Sequence, residues 1–133
     1  MALKVDIVTP AERVLTVEAD EVRLPGVDGG FGVRPGHTPL IAALAAGELT
    51  LVQGGNAQRY AVGEGFAEVS EDHVRVLVEE AVRAEELDPA RAACELADRQ
   101  KKLQSMKPED PEYAAVRAQV ERAAAHALVA GRR

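Results

Sequence analysis

Tryptophan is absent from these 133 residues, and the remaining aromatics are two tyrosines and two phenylalanines: Tyr60, Tyr113, Phe31 and Phe66. Single-strand nucleic-acid binding needs aromatic stacking platforms, so this scarcity argues against it. Basic residues are also short, at 16 against 22 acidic ones, which leaves a formal net charge of -6. Phosphate contacts need clustered Lys and Arg, so nucleic acid is not an expected partner. A single cysteine, Cys94, excludes an internal disulfide framework and fits a reducing compartment.

Long apolar runs are missing as well. Nothing approaches the roughly 20 residues needed to cross a bilayer. The start, Met1-Ala2-Leu3-Lys4-Val5-Asp6, has no apolar core of signal-peptide length. The expectation is a cytoplasmic protein, or one peripheral on a cytoplasmic membrane face, with no direct membrane insertion. Chemistry-bearing groupings are sparse too. His37, His73 and His126 have no second ligand type at metal spacing. No Ser/His/Asp or Cys/His grouping is visible, and no carboxylate pair stands out as an acid and base. Catalysis by this chain alone is not expected, nor is a metal.

What is present divides near residue 84. Hydrophobic residues make up 47% of the chain, enough for a core. Ten of the 11 glycines precede residue 70. Residues 84–133 hold 13 alanines and no glycine before Gly131. Residues 1–83 carry 13 acids and 7 bases, whereas residues 84–133 carry 9 of each. The entire net charge therefore belongs to the first half.

The first half reads as β. Leu3, Val5 and Ile7 alternate with Lys4 and Asp6, the period of a half-buried strand. Val14–Glu18 and Glu21–Leu24 are further short strands. Leu49–Val52 and Arg59–Val62 flank a Gly-rich turn, and Phe66–Val69 and Val74–Val78 flank Ser70–His73, so two hairpins are expected. Such spacing suggests a sandwich or barrel. Thr38–Ala46, a run of small apolar residues, carries no clear assignment. The densest segment, Leu24–Leu40, is rich in Gly and Pro. It has no Gly-Lys-Ser/Thr, and Pro35 interrupts any helix that could hold a phosphate, so it reads as a set of tight turns.

The second half reads as two helices. Asp88-Pro89 is an N-cap followed by proline at the first helical position. Ala92, Ala93, Leu96, Ala97 and Leu103 recur at helical spacing, and Lys101 and Lys102 suit the C-terminal end of the helix dipole. Asp110-Pro111 repeats the start signal. Tyr113, Val116, Val120, Ala123 and Ala127 form the second stripe, with Gly131 as the stop. The short break makes an antiparallel hairpin. Its alanine stripes bury little area, at about 25 cal/mol per Å2, so loose docking is expected. Asp88, Arg91, Arg99, Arg117 and Arg122 either converge on an anion or form a solvated face with intrahelical pairs.

Ordered motifs then resemble the epsilon subunit family of bacterial F-type ATP synthases nearly end to end. They are Pro25-Gly26, Gly29 to Val33, and Pro35-Gly36-His37-Thr38-Pro39-Leu40, followed by Gly47-Glu48-Leu49 and Gly65-Phe66-Ala67-Glu68-Val69. Leu87-Asp88-Pro89-Ala90-Arg91-Ala92 matches the family's Asp-x-x-Arg-Ala step. The resemblance implies a β-sandwich N-terminal domain over 1-84 and a C-terminal antiparallel α-helical hairpin over 85-133. It implies a non-catalytic rotor subunit of the central stalk, peripheral on the cytoplasmic face of the bacterial plasma membrane. Its partners would be the gamma subunit, the c-ring and, when the helices extend, beta subunits. It would couple c-ring rotation to ATP synthesis, with the hairpin inhibiting ATP hydrolysis. On the c-ring side His37 is the matched position, Gly30 stands where the family is often acidic with Asp28 as its substitute, and Arg34 is placed on the same side. Asp88, Arg91 and Arg122 match an ATP site that some members carry. Val82, Asp98 and His126 depart from it, so weak or absent ATP binding is expected and no cofactor is implied. The alternatives are an ATP-sensing regulatory subunit of the same complex and an unrelated β-sandwich adaptor.

Overall fold

A computed structural model describes residues 2–11 and 13–132. Ten strands lead into one turn of 3-10 helix, Ala84–Glu86, and two helices. The strands are β1 (Leu3–Val8), β2 (Arg13–Ala19), β3 (Glu21–Gly26), β4 (Gly29–Val33), β5 (Leu40–Leu44), β6 (Gly47–Gln53), β7 (Asn56–Val62), β8 (Gly65–Ser70), β9 (His73–Val78) and β10 (Ala81–Arg83). The helices are α1 (Pro89–Gln104) and α2 (Tyr113–Ala130). The result is a β-sandwich followed by a helical hairpin.

The strand order is β10-β7-β6-β3-β5-β8-β9-β1-β2, with β4 paired to β3. The sheet folds over itself, so that Leu49 and Tyr60 from one half share a core with Val5, Ile7 and Val76 from the other. Alternation produces this. In β9, Val74, Val76 and Val78 are buried while Arg75 is exposed. β1 lies parallel to β9 and antiparallel to β2. That arrangement places Asp6 between Thr16 and His73. The Thr16 hydroxyl donates to Asp6 Oδ1 at 2.7 Å, and His73 Nε2 lies 2.8 Å from Oδ2. Asp6, 5% exposed, is thus a buried carboxylate whose oxygens are both engaged.

Both expected hairpins form. β6 and β7 join through Gly54-Gly55, each at positive φ (57° and 81°), the two-residue turn whose twist matches the strands. β8 and β9 join through Glu71-Asp72, where Glu71 itself adopts φ 52°. Two expectations need correction, and one open segment gains an assignment. The Gly-rich segment is not only turns, because Gly29–Val33 is a strand. Only Gly29 and Gly36 in that segment have positive φ, and Gly26, Gly30 and Gly32 pair across β3 and β4 or lie within them. Backbone pairing with β3 holds β4 extended where side chains give no alternation to read. The unassigned small apolar run contains β5, paired with β8. The second helix begins at Tyr113 rather than at Asp110-Pro111. The Asp110 carboxylate instead accepts the Lys107 backbone N–H at 2.9 Å, a local turn that competes with capping.

α1 starts as expected, with Asp88 Oδ1 accepting the Ala90 N–H at 3.0 Å. α2 packs along α1 and also against β6 and β7. A second, smaller core results: Ala61, Ala84, Leu87, Ala92, Ala125, Val129 and Ala130. Its members are mostly alanine, and Ala92 is the only residue of α1 buried there among those described.

Candidate functional site

The sandwich meets the helices along α2, and acidic residues from three separate strand ends reach across. Arg122 forms a two-pronged pair with Glu64, its Nε donating to Oε1 at 2.9 Å and Nη2 to Oε2 at 3.2 Å. One turn on, His126 Nε2 lies 2.7 Å from Glu80 Oε1. Near the end of the chain, Arg132 Nε lies 2.8 Å from Glu48 Oε2, an ion pair without hydrogen-bond alignment. The charges shift one another. The Arg122 guanidinium holds Glu64 below the usual carboxylate range, and Glu64 raises Arg122 in turn. The hydrogen bond from His126 lowers Glu80, and Glu80 lifts His126 above the ordinary imidazole value.

Two small recesses flank these contacts. One, of about 210 Å3, is lined by Asp88, Arg91, Glu95 and His126 among others. Its neighbour, of about 140 Å3, is lined by Glu80, Glu95, Arg99, Arg122 and His126 among others. The sequence-matched trio is therefore split: Asp88 and Arg91 share one recess, and Arg122 lines the other. Each of the three also has an intramolecular task. Asp88 caps α1, Arg91 pairs with Glu95 at 3.2 Å, and Arg122 holds Glu64. Both recesses fall below the roughly 300 Å3 at which small-molecule pockets begin.

Asp28, Arg34 and His37 are not brought together either. Asp28 lies in the turn between β3 and β4, whereas Arg34 and His37 follow the far end of β4. Six residues of extended chain separate Asp28 from Arg34 by about 20 Å. Arg34 Nε lies 3.6 Å from Glu21, His37 Nδ1 lies 2.7 Å from the Thr38 carbonyl, and the Gly36 N–H donates to Asp72 Oδ1 at 2.9 Å. Arg34 and His37 belong to the end of the sandwich that carries the β8–β9 turn.

A surface that the sequence reading passed over lies on the outer face of β5, β8 and β9. Ala43 pairs with Phe66, and Phe66 with Leu77. Ile41 stands two residues from Ala43 on the same face. Ile41 is 75% exposed, Phe66 56% and Leu77 37%, with Val27 beside Ala43 at 57%. Large apolar side chains left uncovered on one sheet face make this a candidate interaction surface, although Ile41 shares its cross-strand row with Glu68 and Arg75. The available signal was the outward register of Phe66 in a strand whose inward residues are Ala67 and Val69. Among the described residues there is no helix long and apolar enough to cross a membrane, and no group of potential metal ligands.

Comparison with known proteins bears on the whole of this architecture. Residues 2–84 match the model of the ATP synthase delta/epsilon chain β-sandwich domain. The chain belongs to the ATP synthase epsilon family. It is 50% identical over 132 residues to the ATP synthase epsilon chain of Anaeromyxobacter dehalogenans (strain 2CP-1 / ATCC BAA-258), covering 99% of this chain and 100% of that one. The Geobacter metallireducens epsilon chain is 44% identical over 130 residues, covering 98% and 94%. A chain of the Euglena gracilis mitochondrial ATP synthase, solved with OSCP, F1 and c-ring, superimposes with a TM-score of 0.82 at 25% identity. That match covers 99% of this chain and 82% of the other. A chain of the Tetrahymena thermophila mitochondrial ATP synthase central stalk and c-ring shares the fold, with a TM-score of 0.62 at 12% identity over 98% and 97% of the two chains. The epsilon-family likeness thus spans sandwich and helices alike.

Proposed function

We propose that this chain is a non-catalytic central-stalk subunit of a proton-translocating ATP synthase, on the cytoplasmic face of the membrane. There it couples c-ring rotation to ATP synthesis. The exposed strip of Val27, Ile41, Phe66 and Leu77 is the face that packs on gamma. It is apolar, uncovered and built on rigid strands. The sandwich end with Arg34 and His37 and the turn with Asp28 are separate candidates for the c-ring contact.

The helices act as a brake on ATP hydrolysis. The observation that carries this reading is the junction itself: a seven-residue core, mostly alanine, closed by three acid–base contacts. A two-state element needs a small energy gap, and such a junction supplies one. Once extended, the helices would offer Lys101, Lys102 and Arg117 to acidic groups of a beta subunit. Truncation after Glu86 in the assembled complex tests the brake. Assembly and coupling should persist while ATP hydrolysis rises. Unchanged hydrolysis would refute inhibition by these helices.

ATP sensing is the second reading, and the geometry weighs against it. Asp88, Arg91 and Arg122 lie in two recesses and are already engaged with the chain's own groups. Calorimetry on the isolated chain should show weak or no ATP binding, and micromolar affinity would overturn that expectation.

A further inference from the structure

Between the end of α2 and the outer face of β3, β6 and β7 runs a groove of about 740 Å3. This lies within the roughly 300–1,000 Å3 typical of small-molecule sites. Its floor is a cross-strand row. Arg23 in β3 stands opposite Thr50 in β6, and Thr50 stands opposite Arg59 in β7. Neighbouring strands lie about 4.8 Å apart, so the two arginines rise about 10 Å apart with Thr50 between them. Thr50 is 5% exposed, and its hydroxyl has no hydrogen-bond partner among the described residues. Arg59 has no ion-pair partner among them either. Apolar walls come from Pro25 and Phe31 on one side and Leu128 on the other.

Both carboxylates at this groove lie beside arginines, although Glu48 Oε2 makes no aligned hydrogen bond. Glu21 accepts from Arg23 at 3.3 Å and lies 3.6 Å from Arg34, while Glu48 faces Arg132 at 2.8 Å. Among the lining residues, Arg23, Arg59 and Arg132 outnumber Glu21 and Glu48 by one. The groove's small positive excess is drawn from Arg23 and Arg59 of the acidic first half and from Arg132 at the end of the helical half.

We propose that this groove binds a small organic anion. Its phosphate or carboxylate head is held by Arg59, Arg23 and the Thr50 hydroxyl, and its apolar body lies against Phe31 and Leu128. Charge-assisted hydrogen bonds from two guanidiniums supply the head-group recognition. Leu128 and Arg132 extend from the helical hairpin, whereas the remaining groups belong to strands. Occupancy therefore stabilises the docked helices by linkage. The site shares no lining residue with the recesses of Asp88, Arg91 and Arg122.

Phenyl phosphate titrated into the full chain, followed by amide NMR, tests this. Saturable shifts should centre on Gly30, Gly32 and Gly47. Inorganic phosphate should bind at least roughly tenfold more weakly, because it lacks the apolar body. Arg59→Gln and the near-isosteric Thr50→Val should each weaken phenyl phosphate binding by roughly tenfold. Arg91→Gln should leave it unchanged, and ligand should slow hydrogen exchange in α2. Shifts centred on Glu95 and His126, equal binding of inorganic phosphate, or wild-type affinity in Arg59→Gln would each overturn the proposal. So would the absence of saturation.

Discussion

Gly65 begins β8 where β9 passes so close that an added Cβ would lie 1.9 Å from the Leu77 carbonyl oxygen. Backbone is the obstacle, so no side chain can swing away. Gly65→Ala should destabilise the chain by about 2–3 kcal/mol, measured as a lower urea midpoint at unchanged slope. At the same scale, His126 and Glu80 make the junction sensitive to pH. His126 is raised by Glu80, so its contribution is complete below about pH 6.5 and is lost as pH rises through its elevated folded value. Glu80 is lowered, so its contribution is present above its ordinary value of 4.5 and is lost as pH falls through the folded value. The protection of α2 amides, taken as exchange relative to its intrinsic base-catalysed rate at each pH, should therefore be greatest between these limits and fall toward alkaline pH. His126→Gln should flatten the alkaline side, and an unchanged profile in that variant would exclude His126 as the titrating group.

At the scale of elements, α2 carries two apolar faces. The stripe of Val116 and Ala123 is legible from the sequence. A second set, Ala125, Val129 and Ala130, is buried in the cluster that joins helix to sheet. Val129 is fully buried and is the largest α2 residue of that cluster. Val129→Ala should loosen the helices from the sandwich by about 1.5–2 kcal/mol, read as faster hydrogen exchange in α1 and α2 with the strands unchanged. Arg122→Ala should cost less, about 1 kcal/mol, because its pair with Glu64 is partly solvated. Strand alternation made β1, β6, β7, β8 and β9 legible, and the Asp88-Pro89 signal made α1 legible. β4 was hidden because three of its five residues are glycine. β5 was hidden because its alanines show no contrast between faces, and β10 because three residues are too few for a period.

Across the whole molecule, the sandwich presents an apolar strip on one leaf and the helices on the other. Ile41→Glu combined with Phe66→Glu alters only exposed positions. The isolated chain should unfold within about 0.5 kcal/mol of the parent, since surface substitutions rarely exceed that. Co-purification with gamma should nonetheless be lost, and retained co-purification would place the gamma contact elsewhere. The candidate site residues show how far sequence order can mislead. Asp28, Arg34 and His37 are close in the chain, yet a strand separates the first from the others. Arg91 and Arg122 converge on neighbouring recesses, yet helix capping and ion pairing already occupy the trio they form with Asp88.

Composition and period by themselves determined that an acidic, glycine-bearing β half precedes a neutral, alanine-rich helical half, because alternation, caps and charge are local properties of the chain. Ordered motifs extended that reading to a family. Only the tertiary structure decided which aromatic is exposed, which carboxylates receive α2, and that Arg23, Thr50 and Arg59 form one row. Those facts depend on strand register and on how the sheet folds over. Register brings together residues dozens of positions apart, and no local pattern in the chain encodes that proximity.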